Sequence, residues 1–373
     1  MHPSLNRAGG AENVCLHVIN ALSRAGYKIK LVTIDKTDWQ FLERVYGKVA
    51  MPHEQWYILE RMPIRNIYHQ AVFSFSFFLS EMAYVKLKSE SDVIFNTSGE
   101  FIDLMADICY INAIPLRLMR LSHSNMLWRL ISTAYDCCLK VFSKPLRSNI
   151  LIVNSTFTRK ILQQSLGCKS IVIYPPVDVK KFDTSSSRED LIVTVCRFRQ
   201  GKQLEKVPRI ARALKFKFLI VGIADEASES TIRFLRQEIN KFDVKDRVEL
   251  IINPSFKELV NIVSSAKLFL HTQDTESFGI SIVEAMAAGC VPVVPRCGGP
   301  WFDILDRKQG AYGFSYSSVE EAAEIINRLL EDDGLRETVA ERARKRALVF
   351  DPSVFERKIL KVVNEVLRSK SGK

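Results

Sequence analysis

Apolar positions along the chain fall into short runs separated by stretches with helical spacing. In the first half, Ile29–Ile34, Val93–Phe95, Ile108–Ile111, Ile150–Val153 and Ser170–Tyr174 predict strands. Ala11–Ala25 sets Val14, Leu16, His17, Val18, Ala21 and Leu22 on one face, the pattern of an amphipathic helix. A second helix follows Ser155, carries Thr158, Ile161 and Leu162, and stops at Gly167. Mostly apolar strands alternating with helices predict parallel sheets wound with helices.

Pro175-Pro176 then halts regular structure, and the polar stretch Thr184–Asp190 follows. A second series of strands is expected at Leu191–Val195, Phe216–Val221, Val248–Ile252, Lys267–His271 and Val291–Val294. Helices are expected at about 318–331, 335–349 and 353–368. At 373 residues the chain exceeds what one hydrophobic core usually holds. The prediction is an α/β protein of two doubly wound domains, 1–175 and 176–352. The last helix, about 353–373, packs back on the first domain, and the ligand is expected in the cleft between the two.

Composition narrows the class. With 47% apolar and 25% charged residues, and neither repeats nor low-complexity tracts, disorder, collagen and coiled coil are excluded as the main architecture. The 8 cysteines include no C-x-x-C pair, which argues against a zinc site or disulfide framework and for a reducing, cytoplasmic compartment. Met1-His2-Pro3-Ser4 does not open a signal peptide. The most apolar run, Ala71–Leu79, falls short of the ~20 residues a membrane span needs. The expectation is a soluble protein, or one that rests on a membrane surface.

The formal charge is +11, and Arg117–Arg147 concentrates it. Arg117, Arg120, Arg129, Lys140, Lys144 and Arg147 face Asp136 alone there, interleaved with Leu116, Met119, Met126, Trp128 and Tyr135. Such a segment can lie on an anionic bilayer, and it equally fits a core helix with a solvated basic face. No nucleic-acid-binding module is visible, so nucleic acid is not an expected partner.

Three clusters could carry chemistry. Asn6-Arg7-Ala8-Gly9-Gly10-Ala11-Glu12 precedes the first helix, where glycines admit a ligand to the backbone and a helix N-terminus offers N–H groups to an anion. A tight βα turn would use the same glycines. Arg197 and Lys202 follow a strand's carboxyl end, where α/β proteins bind ligands, and their charges suit a diphosphate. Most specific is Glu276-Ser277-Phe278-Gly279-Ile280 with Glu284 and Gly289 beyond it. Glu284 lies one turn inside a nearly wholly apolar helix, where a carboxylate needs partners such as sugar or ribose hydroxyls. Glu276 sits in the loop that meets the helix N-terminus.

Glu276-x7-Glu284, the Gly-Gly loop, Arg197-x4-Lys202 and Gly298-Gly299-Pro300 together resemble the retaining glycosyltransferases of family 4, strongest over 190–316. Leu270-His271-Thr272, Val291–Val294, Val153–Thr158 and Tyr174–Asp178 are similar to the branch that extends dolichol-linked oligosaccharides from GDP-mannose. The resemblance implies a GT-B fold and transfer of a hexose from a nucleotide sugar to a lipid-linked or glycan acceptor, without a bound metal. It implies that Gly9 and Gly10 admit the donor's diphosphate side, and that Arg197 and Lys202 neutralise the leaving diphosphate. Ser277, Phe278 and the backbone at Gly279 and Ile280 would bind phosphate or sugar. Glu284 would hold the ribose, and Glu276 would contact the hexose near the reacting carbon. At the cytoplasmic face of a membrane, the contact would be peripheral.

Two departures from the family stand out. Only Met1–Leu5 precede the Gly-Gly loop, so the first strand is very short or the chain starts upstream. Relatives carry a histidine in a Tyr-x-His-x-Pro-like stretch, where Tyr110–Pro115 puts Asn112, a side chain that hydrogen-bonds but does not titrate. Two alternatives keep the scaffold: a UDP-sugar donor with a small soluble acceptor, or a non-catalytic binding protein. A dinucleotide oxidoreductase is disfavoured, since no G-x-G-x-x-G occurs with an acidic residue ~20 positions on. The histidines at 2, 17, 53, 69, 123 and 271 show no metal-ligand spacing; His271, at a strand end, is read as structural or as a donor contact.

Overall fold

The computed structural model describes residues 1–6, 9–47, 49–57, 87–97, 106–113, 150–182 and 187–371. The basic segment 117–147, the run 71–79 and the Cys137-Cys138 pair lie outside these. The chain divides into two compact units: Met1–Pro176 with Pro352–Lys373, and Val177–Asp351.

In the first unit, α1 (Gly10–Arg24) leads to β1 (Lys30–Thr33), α2 (Trp39–Tyr46) and β2 (Glu54–Tyr57). Then come β3 (Phe95–Asn96), β4 (Ile108–Ile111), β5 (Ile150–Val153), α3 (Thr156–Leu166) and β6 (Ile171–Val172). Strands β3 to β6 pair in sequence order, and β1 pairs with β2, all parallel. Residues 1–4 fill the gap between the two sets. His2 N–H donates to Val32 O at 3.0 Å, Ile34 N–H to Pro3 O at 2.9 Å, and Thr97 N–H to Met1 O at 3.0 Å. This segment thus takes the place of the strand that precedes the Gly-Gly loop.

Serine and glycine punctuate α3 as expected: the Ser155 hydroxyl accepts from Thr158 N–H, and Gly167 closes the helix in the left-handed conformation at φ 65°. The β3 strand starts two residues later than the predicted Val93–Phe95, and Ile94 N–H is taken by the Asp107 carboxylate at 2.8 Å. On one face, Val14 and Val18 pack with Ile108, Tyr110 and Ile152 and with Phe355, Ile359 and Val363 of the last helix. His17 is accounted for there: Nδ1 lies 3.3 Å from Glu356 Oε1, and Arg24 takes the other oxygen at 3.0 Å.

The second unit runs β7 (Glu189–Val195), α4 (Lys206–Ala211), β8 (Lys217–Gly222), α5 (Glu229–Lys241), β9 (Val248–Ile252), α6 (Phe256–Ser265) and β10 (Ala266–Leu270). It continues with α7 (Ile280–Ala288), β11 (Val291–Pro295), β12 (Phe314–Tyr316), α8 (Val319–Glu331) and α9 (Asp333–Ala347). The chain ends in α10 (Pro352–Ser371), which belongs to the first unit. The six strands are parallel, in the order β12-β11-β10-β7-β8-β9. Strand order reverses between β7 and β10. That is the switch point at whose carboxyl ends such sheets bind ligands. Ile192, Phe218, Ile220, Leu268 and Val293 lie at the centre of its core, each buried.

Candidate functional site

The two strands at the switch point end next to the residues singled out by sequence. Cys196 and Arg197 follow β7, and His271 follows β10. Thr194 Oγ1 donates to Leu270 O at 2.8 Å and ties the two strand ends together. From β7 the chain turns through Gly201 to Lys202, whose ammonium reaches across to the loop after β10. It donates to Gln273 Oε1 at 2.7 Å and to Glu276 Oε2 at 2.8 Å. A cation and a carboxylate read separately in the sequence therefore form one ion pair.

Lys206, four residues on from Lys202 and first in α4, staples the same loop. Its ammonium donates to Gln203 Oε1 at 2.9 Å, Thr272 O at 3.0 Å and Asp274 Oδ1 at 2.6 Å. Thr272 Oγ1 returns a bond to Lys202 O at 2.7 Å. Lys206, Gln273 and Asp274 were not among the expected site residues. The one sequence signal for them is the Lys202-x3-Lys206 spacing opposite two nearby carboxylates.

Glycines bring a third segment against this loop. Gly299 N–H donates to Glu276 O at 2.8 Å, and a Cβ on Gly299 would stand 2.1 Å from Ser277 O. Only a residue without a side chain permits that approach. Gly279 caps α7 at φ 99°, a left-handed conformation that glycine adopts without strain, and no side chain caps the helix. The N–H groups that open α7 are therefore a ready place for an anion. Ser277 and Phe278, just ahead, are buried, with Phe278 edge-on to Phe350 at 5.3 Å.

The two glutamates differ in ionisation. Burial alone would raise the Glu276 carboxyl, but the Lys202 ammonium and then His271 and the Phe278 N–H hold it below its ordinary value. Glu276 is an anion at neutral pH. Glu284 is half-buried on the second turn of α7, which packs against the short turn Val179–Phe182. Burial pushes its carboxyl up to about 7, with Lys181 opposing and Asp178 adding to the rise. Asp178 and Lys181 are themselves paired at 3.0 Å.

His271 is buried with its ring beside this network. Burial pushes it down to about 4, so the ring is neutral. Cys196 lies within the same field, and burial raises its thiol to about 12, which removes it as a nucleophile.

Gly9, Gly10 and Asn112 belong to the first unit. Gly9 N–H donates to Glu12 Oε2 at 2.8 Å, Gly9 O accepts from Tyr46 OH at 2.9 Å, and Gly10 opens α1. Asn112 follows β4, and its Nδ2 donates to Thr97 O at 2.8 Å. Among the described residues no group of three His, Cys, Asp or Glu side chains could hold a metal ion. Among the same residues no helix is long and apolar enough to cross a membrane.

Comparison with known proteins bears on the second unit. The model for "Glycosyl transferases group 1" matches residues 178–346, nearly the whole of the second unit. Residues 178–346 form a group 1 glycosyltransferase domain. The relatives it resembles include GDP-Man:Man(3)GlcNAc(2)-PP-Dol alpha-1,2-mannosyltransferase of Dictyostelium discoideum, 30% identical over 60% of this chain and 50% of that protein. The Homo sapiens protein of the same name is 30% identical over 59% of this chain and 49% of its own length. The chain thus spans about half the length of these relatives.

Among solved structures, sucrose-phosphate synthase from Thermosynechococcus elongatus matches with a TM-score of 0.74, at 16% identity over 97% of this chain and 94% of that one. HepE of Anabaena, solved with UDP and glucose, matches at 0.71, with 19% identity over 95% and 96% of the two chains. These likenesses show the fold, which is GT-B, as the family resemblance implied. The Glu276–Lys202 pair, the α7 N-terminus and Glu284 all fall inside the group 1 domain.

Proposed function

We propose that this protein transfers a hexose, mannose from GDP-mannose, to a lipid-linked glycan acceptor with retention at the anomeric carbon. The observation that carries the reading is the convergence of Lys202, Glu276 and the α7 N-terminus at the switch point of a group 1 domain. The bond between the sugar and the donor's diphosphate breaks, a bond from the acceptor hydroxyl oxygen to the same carbon forms, and the hydroxyl proton passes to the leaving diphosphate oxygen. Negative charge collects on the diphosphate. Arg197, Lys202 and the N–H groups of α7 face that charge in this reading, and such fixed donors stabilise it without a bound metal. Glu276 lies at the hexose and Glu284 at the ribose.

GDP-mannose and a dolichol-linked acceptor are favoured because the curated relatives named above carry them in their names. Such an acceptor places the work at a membrane surface, with 117–147 as the basic contact at its cytoplasmic face. The test incubates purified protein with GDP-mannose, UDP-glucose and UDP-N-acetylglucosamine in turn. Each is offered with extracted lipid-linked oligosaccharides, and products are weighed by mass spectrometry. A mass gain of one hexose from GDP-mannose alone is expected. Transfer only from a UDP-sugar, or none from any donor, would overturn the reading.

A further inference from the structure

His271 has no assigned part in the chemistry above, yet its setting is unusual. The side chain is 6% exposed, and Nε2 is buried with no hydrogen-bond partner. Its backbone is pinned on both sides: His271 N–H donates to Val293 O at 2.9 Å, and His271 O accepts from Tyr316 OH at 2.7 Å. Nε2 points toward Glu276 Oε2 at 4.0 Å, too far for a hydrogen bond. That same oxygen is held by Lys202 Nζ at 2.8 Å. A buried polar atom left unpaired costs stability, so its persistence calls for a state in which it is paired.

Donor binding supplies such a state. An arriving diphosphate carries more negative charge than one carboxylate and competes for the Lys202 ammonium. When Lys202 turns to it, Glu276 Oε2 loses the ammonium that held it, at a site that is half-buried. Closing 4.0 Å to hydrogen-bond distance takes about one ångström of movement in the 271–276 loop. We propose that His271 is a positioning residue that takes Glu276 over from Lys202 when the donor binds, with Nε2–H donating to Oε2 and holding the carboxylate ionised and aimed at the sugar. The inference rests on the function proposed above.

The charged and titratable groups around the ring are Glu276, Lys202, Lys206 and Asp274, with the Cys196 thiol in the same field. Burial and the two lysines keep the ring neutral, so one ring nitrogen carries a proton and the other does not. Without the Nε2–H bond, the donor-bound Glu276 carboxyl titrates at higher pH.

The test compares wild type, His271→Ala and His271→Gln, the last keeping an amide N–H of similar reach. His271→Ala should lose about 10–100-fold in kcat with donor KM within about threefold, as for an interaction made beyond donor binding. The acid limb of its kcat–pH profile should move up, and His271→Gln should restore both kcat and that limb. Equal loss in both variants, or a raised KM at unchanged kcat, would overturn the inference. In wild type labelled at histidine nitrogen, GDP should shift the Nε2 resonance assigned by His271→Gln to a hydrogen-bonded position. This reading does not depend on His271→Ala folding, and an unmoved resonance refutes the handover. An active wild type with indifferent variants sinks this inference alone, whereas a wild type that transfers no hexose sinks the proposed function with it.

Discussion

If Glu284 holds the donor ribose as proposed, donor binding should depend on pH in a window that the neighbouring groups leave clear. Its carboxyl is pushed up to about 7, while His271 is pushed down to about 4 and Glu276 lies below its ordinary value. Of these three groups, Glu284 is therefore the one that changes charge between pH 6 and 8. An ionised carboxylate accepts ribose hydroxyl hydrogens more strongly than a carboxylic acid does. With the pKa near 7, about nine-tenths of Glu284 is ionised at pH 8 and about one part in eleven at pH 6, so affinity falls by about tenfold, or ~1.4 kcal/mol.

Calorimetric titration with GDP-mannose measures this, since its diphosphate diester keeps the same charge across the window. Folding shows the same group with the opposite sign. A raised carboxyl means that ionisation costs the folded state. Stability is therefore full below the ordinary value of 4.5 and is lost as pH rises through about 7. The limiting loss is on the order of 3 kcal/mol, less whatever solvent screens at this half-buried site. Glu284→Gln should bind GDP-mannose with no pH slope from 6 to 8 and should flatten the melting trend. An equal slope in Glu284→Gln, or a flat wild type, would refute the assignment.

Three further outcomes follow from the geometry. Lys202→Ala should weaken GDP-mannose binding by ~1.5–3 kcal/mol, the value of a charge-assisted hydrogen bond, and Arg197→Ala should act in the same direction; unchanged donor KM would remove both from the diphosphate. Gly299→Ala drives a Cβ to 2.1 Å from Ser277 O, so the loop must shift; a loss of about 1–3 kcal/mol in urea unfolding is expected, and wild-type stability would count against the close approach. If 117–147 meets anionic lipid, the protein should sediment with phosphatidylserine vesicles and detach at high salt, whereas equal recovery with neutral vesicles supports the core-helix reading.

Much of the architecture was legible in single segments. Ile108–Ile111 and Ile150–Val153 coincide with β4 and β5, because a short apolar run in a buried parallel sheet has nothing else to become. Edge and short strands were missed. Glu54–Tyr57 lies exposed to half-buried beside β1, so its sequence lacks an apolar run, and Phe314–Tyr316 is only 3 residues long. Gly279, Gly289 and Gly299 were visible as letters. Their reasons, two left-handed helix caps and one backbone contact, belong to the folded chain.

The sequence by itself carried the doubly wound α/β pattern and the resemblance of Glu276-x7-Glu284 to family 4 glycosyltransferases. Local patterning carries these, since period, punctuation and motif spacing are properties of neighbours along the chain. Only the tertiary structure decided which groups meet. Lys202 and Glu276, 74 residues apart, become one ion pair because β7 and β10 are adjacent at the point where strand order reverses. The carboxyls of two glutamates eight positions apart shift in opposite directions, because one faces an ammonium and burial, with Asp178 adding, raises the other. A pKa is set by burial and by charges through space, and neither is written in the spacing of the residues.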